Sequence, residues 1–231
     1  MPRAPTDVAA TGGYSSIAVS WSAPAPNGVT ITGYRGSASP GPATCTAGPS
    51  ATGCVIGAEA GTAYTVSVVA LSAGGSSPAS GPSPSVVPSA PVVSPTPPDT
   101  KLPLGTGNGP ISSAAPGESL LVTGTGYAPY SSVTIAVYSS PQVLASVQAD
   151  RRGDFEQPVT VPNGLRPGTH SFVAAGVDRN GRLRALRLDL TVARSSGGGS
   201  LPITGPAVLW LIVGGFALTL AGVAMRLVRR Q

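Results

Sequence analysis

Cys45 and Cys54 are the two cysteines of this 231-residue chain, and they are the first pair with defined chemistry. In an exported protein an even pair of this kind forms a disulfide, because the compartment is oxidising. Closing so short a loop stabilises the fold by about 2 to 3 kcal/mol in the loop-entropy model. Metal binding is the competing interpretation, but it needs further ligands, and the single histidine is distant in sequence. We therefore predict a Cys45–Cys54 disulfide and no metal site.

Residue types that could support catalysis are few. His170 is predicted to begin a strand, where it packs or faces solvent, and the nine acidic residues are scattered singly. The sequence contains no GxSxG nucleophile elbow, no phosphate-binding loop and no histidine–carboxylate cluster with metal-ligand spacing. We therefore predict that the chain is not an enzyme and uses no cofactor.

A second feature with defined chemistry lies near residue 200. It is a pentapeptide made of Leu201, Pro202, Ile203, Thr204 and Gly205. A Gly/Ser spacer at 195–200 precedes it, and residues 206–225 after it carry no charge. As a helix these twenty residues would span about 30 Å, the thickness of a bilayer core. A basic tail at 226–231 follows, in which we expect membrane retention on the cytoplasmic side by Arg226, Arg229 and Arg230.

This order of parts resembles the LPxTG cell-wall sorting signal of Gram-positive surface proteins. In such proteins a membrane-bound sortase cleaves between threonine and glycine and transfers the threonine carbonyl to an amino group of a peptidoglycan precursor. The resemblance implies cleavage of the Thr204–Gly205 bond, with sortase, the precursor and the membrane as partners. It places the protein at the extracellular face, in the cell wall, after a single-span membrane intermediate. The alternative is a membrane anchor with a chance match upstream.

Composition agrees with an exported, strand-rich protein. The chain has 31 glycines, 25 prolines and 10% charged residues, which is typical of short strands joined by many turns. Scarce lysine beside abundant glycine, proline and alanine indicates an actinobacterial source. The N-terminus enters domain-like sequence without an apolar stretch, so we expect a signal peptide before Met1. Without the residues after Thr204, eleven basic and nine acidic residues remain, which excludes a nucleic-acid partner.

Residues 5–87 alternate apolar and polar positions, with turn residues every 8 to 12 positions, as in an antiparallel sandwich. Ile17, Val19 and Trp21 illustrate the pattern. The segment resembles a fibronectin type III domain in its proline-led start, its tryptophan, and the runs Thr32-Gly33-Tyr34 and Gly61-Thr62-Ala63-Tyr64. This resemblance implies an Ig-like, antiparallel β-sandwich.

Residues 88–110 form a Pro/Ser/Thr-rich linker that we expect to be semi-rigid and polyproline-like. Residues 111–194 then return to period-two alternation in six or seven segments. Their Gly124–Pro129 and Pro167–His170 stretches resemble bacterial Ig-like surface repeats. The predicted fold class is therefore all-β, with two Ig-like β-sandwich domains in tandem and one C-terminal transmembrane helix at 206–225.

Two predicted hairpin turns in the second domain put Asp and Gly between strands, at 150–155 and 178–182. The first contains Arg152, Gly153 and Asp154, the tripeptide that integrins recognise on a tight exposed loop. One hypothesis is a host-cell adhesin. The other is that Gly153 and Asp154 are ordinary turn residues beside an arginine.

Three functional classes remain. The leading one is a non-catalytic wall-anchored display stalk or adhesion module. The second is the accessory, polysaccharide-binding end of a secreted or wall-bound glycan-degrading protein, with Tyr127, Tyr130 and Tyr138 as the aromatic cluster on which sugar rings would stack. A host protein is a further candidate ligand. The third is a pilus subunit, where Lys101, the single lysine, lies outside the usual pilin context.

Overall fold

Period-two alternation becomes strand structure in both predicted domains. The computed structural model describes residues 1–139 and 141–194. In the strand Ser16–Ser22, for example, Ile17, Val19 and Trp21 are buried while Ala18 and Ser20 face solvent. Burying one face of such a strand is what drives two sheets together.

The first sandwich uses seven strands within residues 1–87. They are β1 (Thr6–Gly12), β2 (Ser16–Ser22), β3 (Ile31–Ser39), β4 (Thr44–Ala47), β5 (Gly53–Gly57), β6 (Thr65–Ser72) and β7 (Gly75–Ser76). One sheet has the order β1-β2-β5 and the other the order β4-β3-β6-β7, with all neighbours antiparallel. Between them the rings of Trp21 and Tyr34 pack in a tilted arrangement, with centroids 5.2 Å apart and planes at 48°. This ring pair lies in a core of aliphatic side chains from both sheets.

Three serines complete the outer edge of β6 after β7 has ended. Ser77, Ser80 and Ser83 each donate a backbone N–H to a β6 carbonyl and accept a β6 N–H on Oγ, at 2.8 to 3.0 Å. Proline and glycine occupy much of the sequence between them, and a proline has no N–H to leave unpaired. A three-residue repeat thus pairs with alternate residues of β6 and closes an edge that would otherwise be open to another chain.

The second sandwich uses eight strands within the described residues from 101 onward. They are β8 (Gly105–Thr106), β9 (Ser113–Ala114), β10 (Ser119–Gly124), β11 (Ser132–Tyr138), β12 (Gln142–Gln148), β13 (Phe155–Thr160), β14 (Gly168–Val177) and β15 (Leu183–Val192). One sheet has the order β13-β10-β8 and the other β12-β11-β14-β15-β9. The β9–β15 pair is parallel, and the remaining pairs are antiparallel.

The segment predicted as a linker, residues 88–110, packs against both sandwiches. Ser89 exchanges backbone hydrogen bonds with Gly13 and Ser15 of the first sandwich at 3.0 and 2.8 Å. Val93 packs on the outer face of the second sandwich, against Ala136, Tyr138 and Val173. Further on, Leu104 lies in the core of that sandwich and residues 105–106 form β8. Every residue of β11 is buried as a result, because both faces of its sheet are covered.

The predicted fold class needs a correction. Residues 1–139 and 141–194 form strands, turns and irregular segments without a helix, and so contain no helix capable of crossing a bilayer. The structure therefore supports an all-β protein and contradicts a fold class that includes a transmembrane helix. The physical reason lies in the pattern of the described chain, where apolar residues recur every second position and glycine and proline interrupt each run. The segment assigned to that helix, 206–225, lies outside the described residues.

Candidate functional site

Cys45 and Cys54 form the predicted disulfide, with Cα atoms 6.1 Å apart. Cys45 belongs to β4 and Cys54 to β5, which are edge strands of opposite sheets. The bond therefore ties the two sheets together along one side of the first sandwich. The matching side of the second sandwich, between β12 and β13, has no such bond and carries a groove of about 360 Å³.

The two sandwiches meet at a junction made largely of backbone. The N–H of Ala60 donates to Ser132 Oγ at 3.0 Å, which links the first sandwich to β11. Gly57 is buried against the 128–129 backbone, where a Cβ would lie 2.9 Å from the Ala128 Cβ and would overlap the Pro129 carbonyl oxygen. Tyr130, at a φ of 63°, inserts its side chain against the core of the first sandwich. The described residues of both sandwiches belong to one compact unit.

The two turns predicted as hairpins have the same construction, but only the second is a hairpin: it joins the paired strands β14 and β15, whereas the first joins β12 and β13 of different sheets. In the first, Asp150 Oδ1 accepts the N–H groups of Arg152 and Asp154 at 2.7 and 2.9 Å. In the second, Asp178 Oδ1 accepts the N–H groups of Asn180 and Arg182 at 2.8 and 3.0 Å. The backbone hydrogen bonds of Asp154, Arg152 and Gly153 lower the pKa of Asp150, the first of these being the largest contribution. We name these segments, 150–154 and 178–182, the twin turns.

The structure brings the twin turns into contact. Arg179 donates a 2.8 Å hydrogen bond from its guanidinium to the carbonyl of Arg152. Beside them, Arg184 lies over the ring of Tyr127, 5.8 Å from its centroid, and donates to the carbonyl of Thr125 at 3.0 Å. Sequence reasoning identified both turns but missed that they meet. The repeated Asp-Arg-x-Gly pattern at 150 and 178 was the available signal.

The tripeptide within the first turn is partly fixed by packing. Arg152 is exposed, Gly153 is buried and Asp154 is half-buried. Gly153 has a φ of 88° and accepts the N–H of Tyr127 on its carbonyl at 3.0 Å. A side chain at this position would overlap the carbonyl of Tyr127. The glycine is therefore required by the fold, whether or not the turn binds a receptor.

His170 is buried in β14 and has a partner at each ring nitrogen. Nδ1 lies 2.6 Å from Ser139 Oγ, and Nε2 lies 2.7 Å from the carbonyl oxygen of Arg166. Because a carbonyl can only accept, Nε2 carries the proton and Nδ1 accepts from the serine hydroxyl when the ring is neutral. Within the described residues no group of three or more His, Cys, Asp or Glu residues is placed to hold a metal ion.

The three tyrosines proposed as a sugar platform do not share an exposed face. Tyr127 and Tyr138 are buried, and Tyr130 lies in the junction. The hydroxyl of Tyr127 donates to the carbonyl of Ala174 at 2.9 Å, and burial raises its pKa despite the opposing effect of Arg184. Burial likewise raises the pKa of Tyr138. Stacking of sugar rings needs an exposed aromatic face, which these three residues do not provide.

The residues of the predicted sorting motif and basic tail, 201–205 and 226–231, lie outside the described residues. The last described strand, β15, ends at Val192, and the described chain ends at Arg194. Nine residues, 195–203, lie between Arg194 and Thr204 in the sequence.

Residues 3–86 match the family model of the fibronectin type III domain. Among solved structures, the chain is similar to the FN1–FN3 domains of chicken CNTN1, with 13% identity and a TM-score of 0.32, over 82% of this chain and 67% of that one. It is also similar to a two-domain fibronectin type III segment of chicken tenascin, with 18% identity and a TM-score of 0.31, over 81% of this chain and 98% of that one.

A third similarity is to an LPMO from Kitasatospora papulosa, with 12% identity and a TM-score of 0.29, over 39% of this chain and 55% of that one. Similarities at these levels carry no inference about ligand or activity. Curated proteins give no match.

Proposed function

Residues 3–86 form a fibronectin type III domain, and from this premise we propose that the chain is a non-catalytic cell-surface protein that acts as a display stalk. The observation that carries the proposal is the packed junction between the two sandwiches. A free hinge would leave the domains to reorient, as exposed and flexible interdomain linkers do. Here the Ser132 hydroxyl, the buried Gly57 and the Tyr130 side chain occupy the junction, and these contacts oppose reorientation of one sandwich against the other.

The docked segment 88–110 supports the same role. A spacer that ran through solvent would add length without stiffness, whereas this one hydrogen-bonds to Gly13 and Ser15, packs the half-buried Val93 on the second sandwich and buries Leu104 in its core. The disulfide between β4 and β5 and the serine repeat along β6 further resist separation of the sheets. Stiffness along the body is what a protein needs in order to hold a surface away from the cell.

We further propose that sortase cleaves between Thr204 and Gly205 and joins Thr204 to a peptidoglycan precursor. The sequence supports this assignment through the Leu-Pro-Ile-Thr-Gly motif, the uncharged segment 206–225 and the arginines at 226, 229 and 230. The protein is then a substrate of another enzyme and supplies no nucleophile of its own. Its partners in this step are sortase and the precursor, at the outer face of the membrane, and its final location is the cell wall.

The test is the C-terminus of the protein in the cell wall. Walls from the source organism are digested with muramidase, and the end of the chain is determined by mass spectrometry. We expect Thr204 carrying a wall-peptide remnant. An intact end at Gln231 in the membrane fraction would overturn wall anchorage. As a matched pair of variants, Thr204→Ala should abolish the wall-linked form, while Thr191→Ala, an exposed position on β15, should leave it unchanged.

A further inference from the structure

Within residues 1–139 and 141–194, positive charge is concentrated in the second sandwich. The first sandwich is balanced, with Arg3 and Arg35 against Asp7 and Glu59. In the second sandwich, five arginines lie in or beside the twin turns: Arg151, Arg152, Arg179, Arg182 and Arg184. The acidic residues of the turns are Asp150, Asp154 and Asp178. We name the five arginines the arginine patch.

The nearby carboxylates offset the charge of this patch only in part. Asp150 and Asp178 each use Oδ1 to accept two backbone N–H groups of their own turn. Within residues 1–139 and 141–194, the ion pair found at 4 Å or less joins Arg187 to Asp189, outside the patch. Five guanidinium groups and three carboxylates leave the twin turns and Arg184 with a net charge of +2, five minus three.

Two of the arginines are already held in place. Arg179 uses one N–H for the Arg152 carbonyl, and Arg184 uses one for the Thr125 carbonyl while it lies over Tyr127. A guanidinium has five N–H donors, so each retains donors for a ligand. Side chains fixed before binding lose less conformational entropy when a ligand arrives. Arg151, Arg152 and Arg182 are exposed around them and can adjust to a ligand.

We propose that the arginine patch binds a phosphodiester-linked anionic polymer of the cell wall. Arginine matches phosphate oxygens through paired N–H donors, and several spread guanidiniums suit a repeating polyanion better than a single ion. The choice of a wall polymer rests on the proposed anchorage. β15 runs from the patch to Val192 over ten residues, or about 33 Å. The twelve residues from there to Thr204 reach at most about 40 Å, so the patch stays within roughly 75 Å of the anchored residue.

The experiment measures binding of the purified full-length chain to synthetic poly(glycerol phosphate), with neutral dextran and polygalacturonate as comparison polymers. We expect binding to the phosphate polymer that weakens steeply as salt rises, because several counterions are released. The double variant Arg151→Ser with Arg182→Ser should bind the phosphate polymer about ten- to thirtyfold more weakly, because each of these guanidiniums contributes positive charge near the polymer. Neither guanidinium makes a hydrogen bond within the described residues. Circular dichroism of the variant verifies that it is folded.

The matched control is Arg166→Ser with Arg194→Ser, which removes the same charge from exposed positions of the same sandwich. It should retain binding within about twofold. Equal loss in both variants, equal binding of dextran or polygalacturonate, or no binding of the phosphate polymer would overturn the proposal. The assay uses isolated polymer in solution, so it does not depend on anchorage. A chain that ends at Gln231 yet binds the polymer would overturn wall anchorage and leave the ligand assignment standing.

Discussion

The carbonyl of Gly153 accepts a 3.0 Å hydrogen bond from the N–H of Tyr127. This bond joins the first of the twin turns to the rest of the second sandwich. Gly153 is at a φ of 88°, a region that other L-residues enter at a cost. The Tyr127 side chain in turn is buried and supports Arg184. The hydrogen bond between Gly153 and Tyr127 therefore holds the turn in place, and the Tyr127 ring positions Arg184 of the arginine patch. The same close approach leaves no space for a Cβ at Gly153.

Gly153→Ala should lower the free energy of unfolding by about 2 to 3 kcal/mol, from a strained φ and overlap with the Tyr127 carbonyl. Urea denaturation followed by circular dichroism measures the change. Gly164→Ala is the control, because Gly164 has open space at its Cβ position and no positive φ. A Gly153→Ala protein as stable as the control would show that the backbone of the turn adjusts freely.

Asp154→Glu tests the adhesin hypothesis without disturbing that backbone contact. We expect attachment to integrin-bearing cells to be unchanged, because Asp154 is half-buried and the glycine beside it is held against Tyr127. A cell-adhesion assay on immobilised protein measures this. Loss of attachment in Asp154→Glu, with attachment retained in Glu156→Asp at an exposed neighbouring position, would establish receptor recognition by the turn.

Cys45→Ser combined with Cys54→Ser should lower the free energy of unfolding of the first sandwich by about 2 to 3 kcal/mol, because the open chain gains loop entropy when it unfolds. Urea denaturation in the presence and absence of reductant measures the effect. Reductant should lower the stability of the unmodified protein by the same amount and leave the double variant unchanged. Equal stability of the two proteins in oxidising buffer would contradict a stabilising role.

The alternation of Ile17, Val19 and Trp21 was sufficient to predict β2, because a half-buried strand imposes period two on its own residues. The fibronectin type III domain was predicted from a resemblance in its tryptophan and in the runs Thr32-Gly33-Tyr34 and Gly61-Thr62-Ala63-Tyr64, and the family model over residues 3–86 confirms it. The serine repeat along β6 could not be found this way. The serines recur every third residue, whereas the β6 residues that they contact recur every second residue. The role of the serines also depends on β6 being the strand beside them, which the local sequence does not indicate.

The other features that the sequence did not predict depend on contacts between segments that are distant in sequence. Arg152 and Arg179, through which the two turns meet, are 27 residues apart. The turns follow β12 and β14, and both of these strands pair with β11. Tyr127 was interpreted as a sugar contact, but a tyrosine has an apolar ring with a polar tip and suits either environment. The carbonyl of Ala174, 47 residues away in sequence, satisfies its hydroxyl and makes burial favourable.

Gly57→Ala should loosen the junction while each sandwich stays folded. The added methyl group would overlap the Pro129 carbonyl and crowd the Ala128 Cβ, and these residues belong to the second sandwich. Backbone ¹⁵N relaxation measures the outcome as a rotational correlation time for each sandwich. The two values should agree in the unmodified protein and differ in the variant.

The control is Gly74→Ala, at an exposed position with open space. Equal correlation times in the Gly57→Ala protein would contradict a junction held by this contact.

Tyr127→Phe should change how stability depends on alkaline pH. Burial raises the pKa of Tyr127 in the folded protein above its ordinary value of 10.0. As the pH rises above about 10, Tyr127 loses its proton in the unfolded protein before it does so in the folded protein. The stability that the protonated Tyr127 contributes is therefore complete below about pH 10 and is lost as the pH rises toward the pKa in the folded protein. The phenylalanine variant should be about 1 kcal/mol less stable near neutral pH, because the Ala174 carbonyl loses its donor, and should show a shallower loss above about pH 10. Urea midpoints at about pH 8 and about pH 11 measure both effects. Tyr14→Phe, which removes a tyrosine hydroxyl from an exposed position, is the matched control. Parallel slopes for Tyr127→Phe and the unmodified protein would show that the Tyr127 hydroxyl reaches water before the protein unfolds.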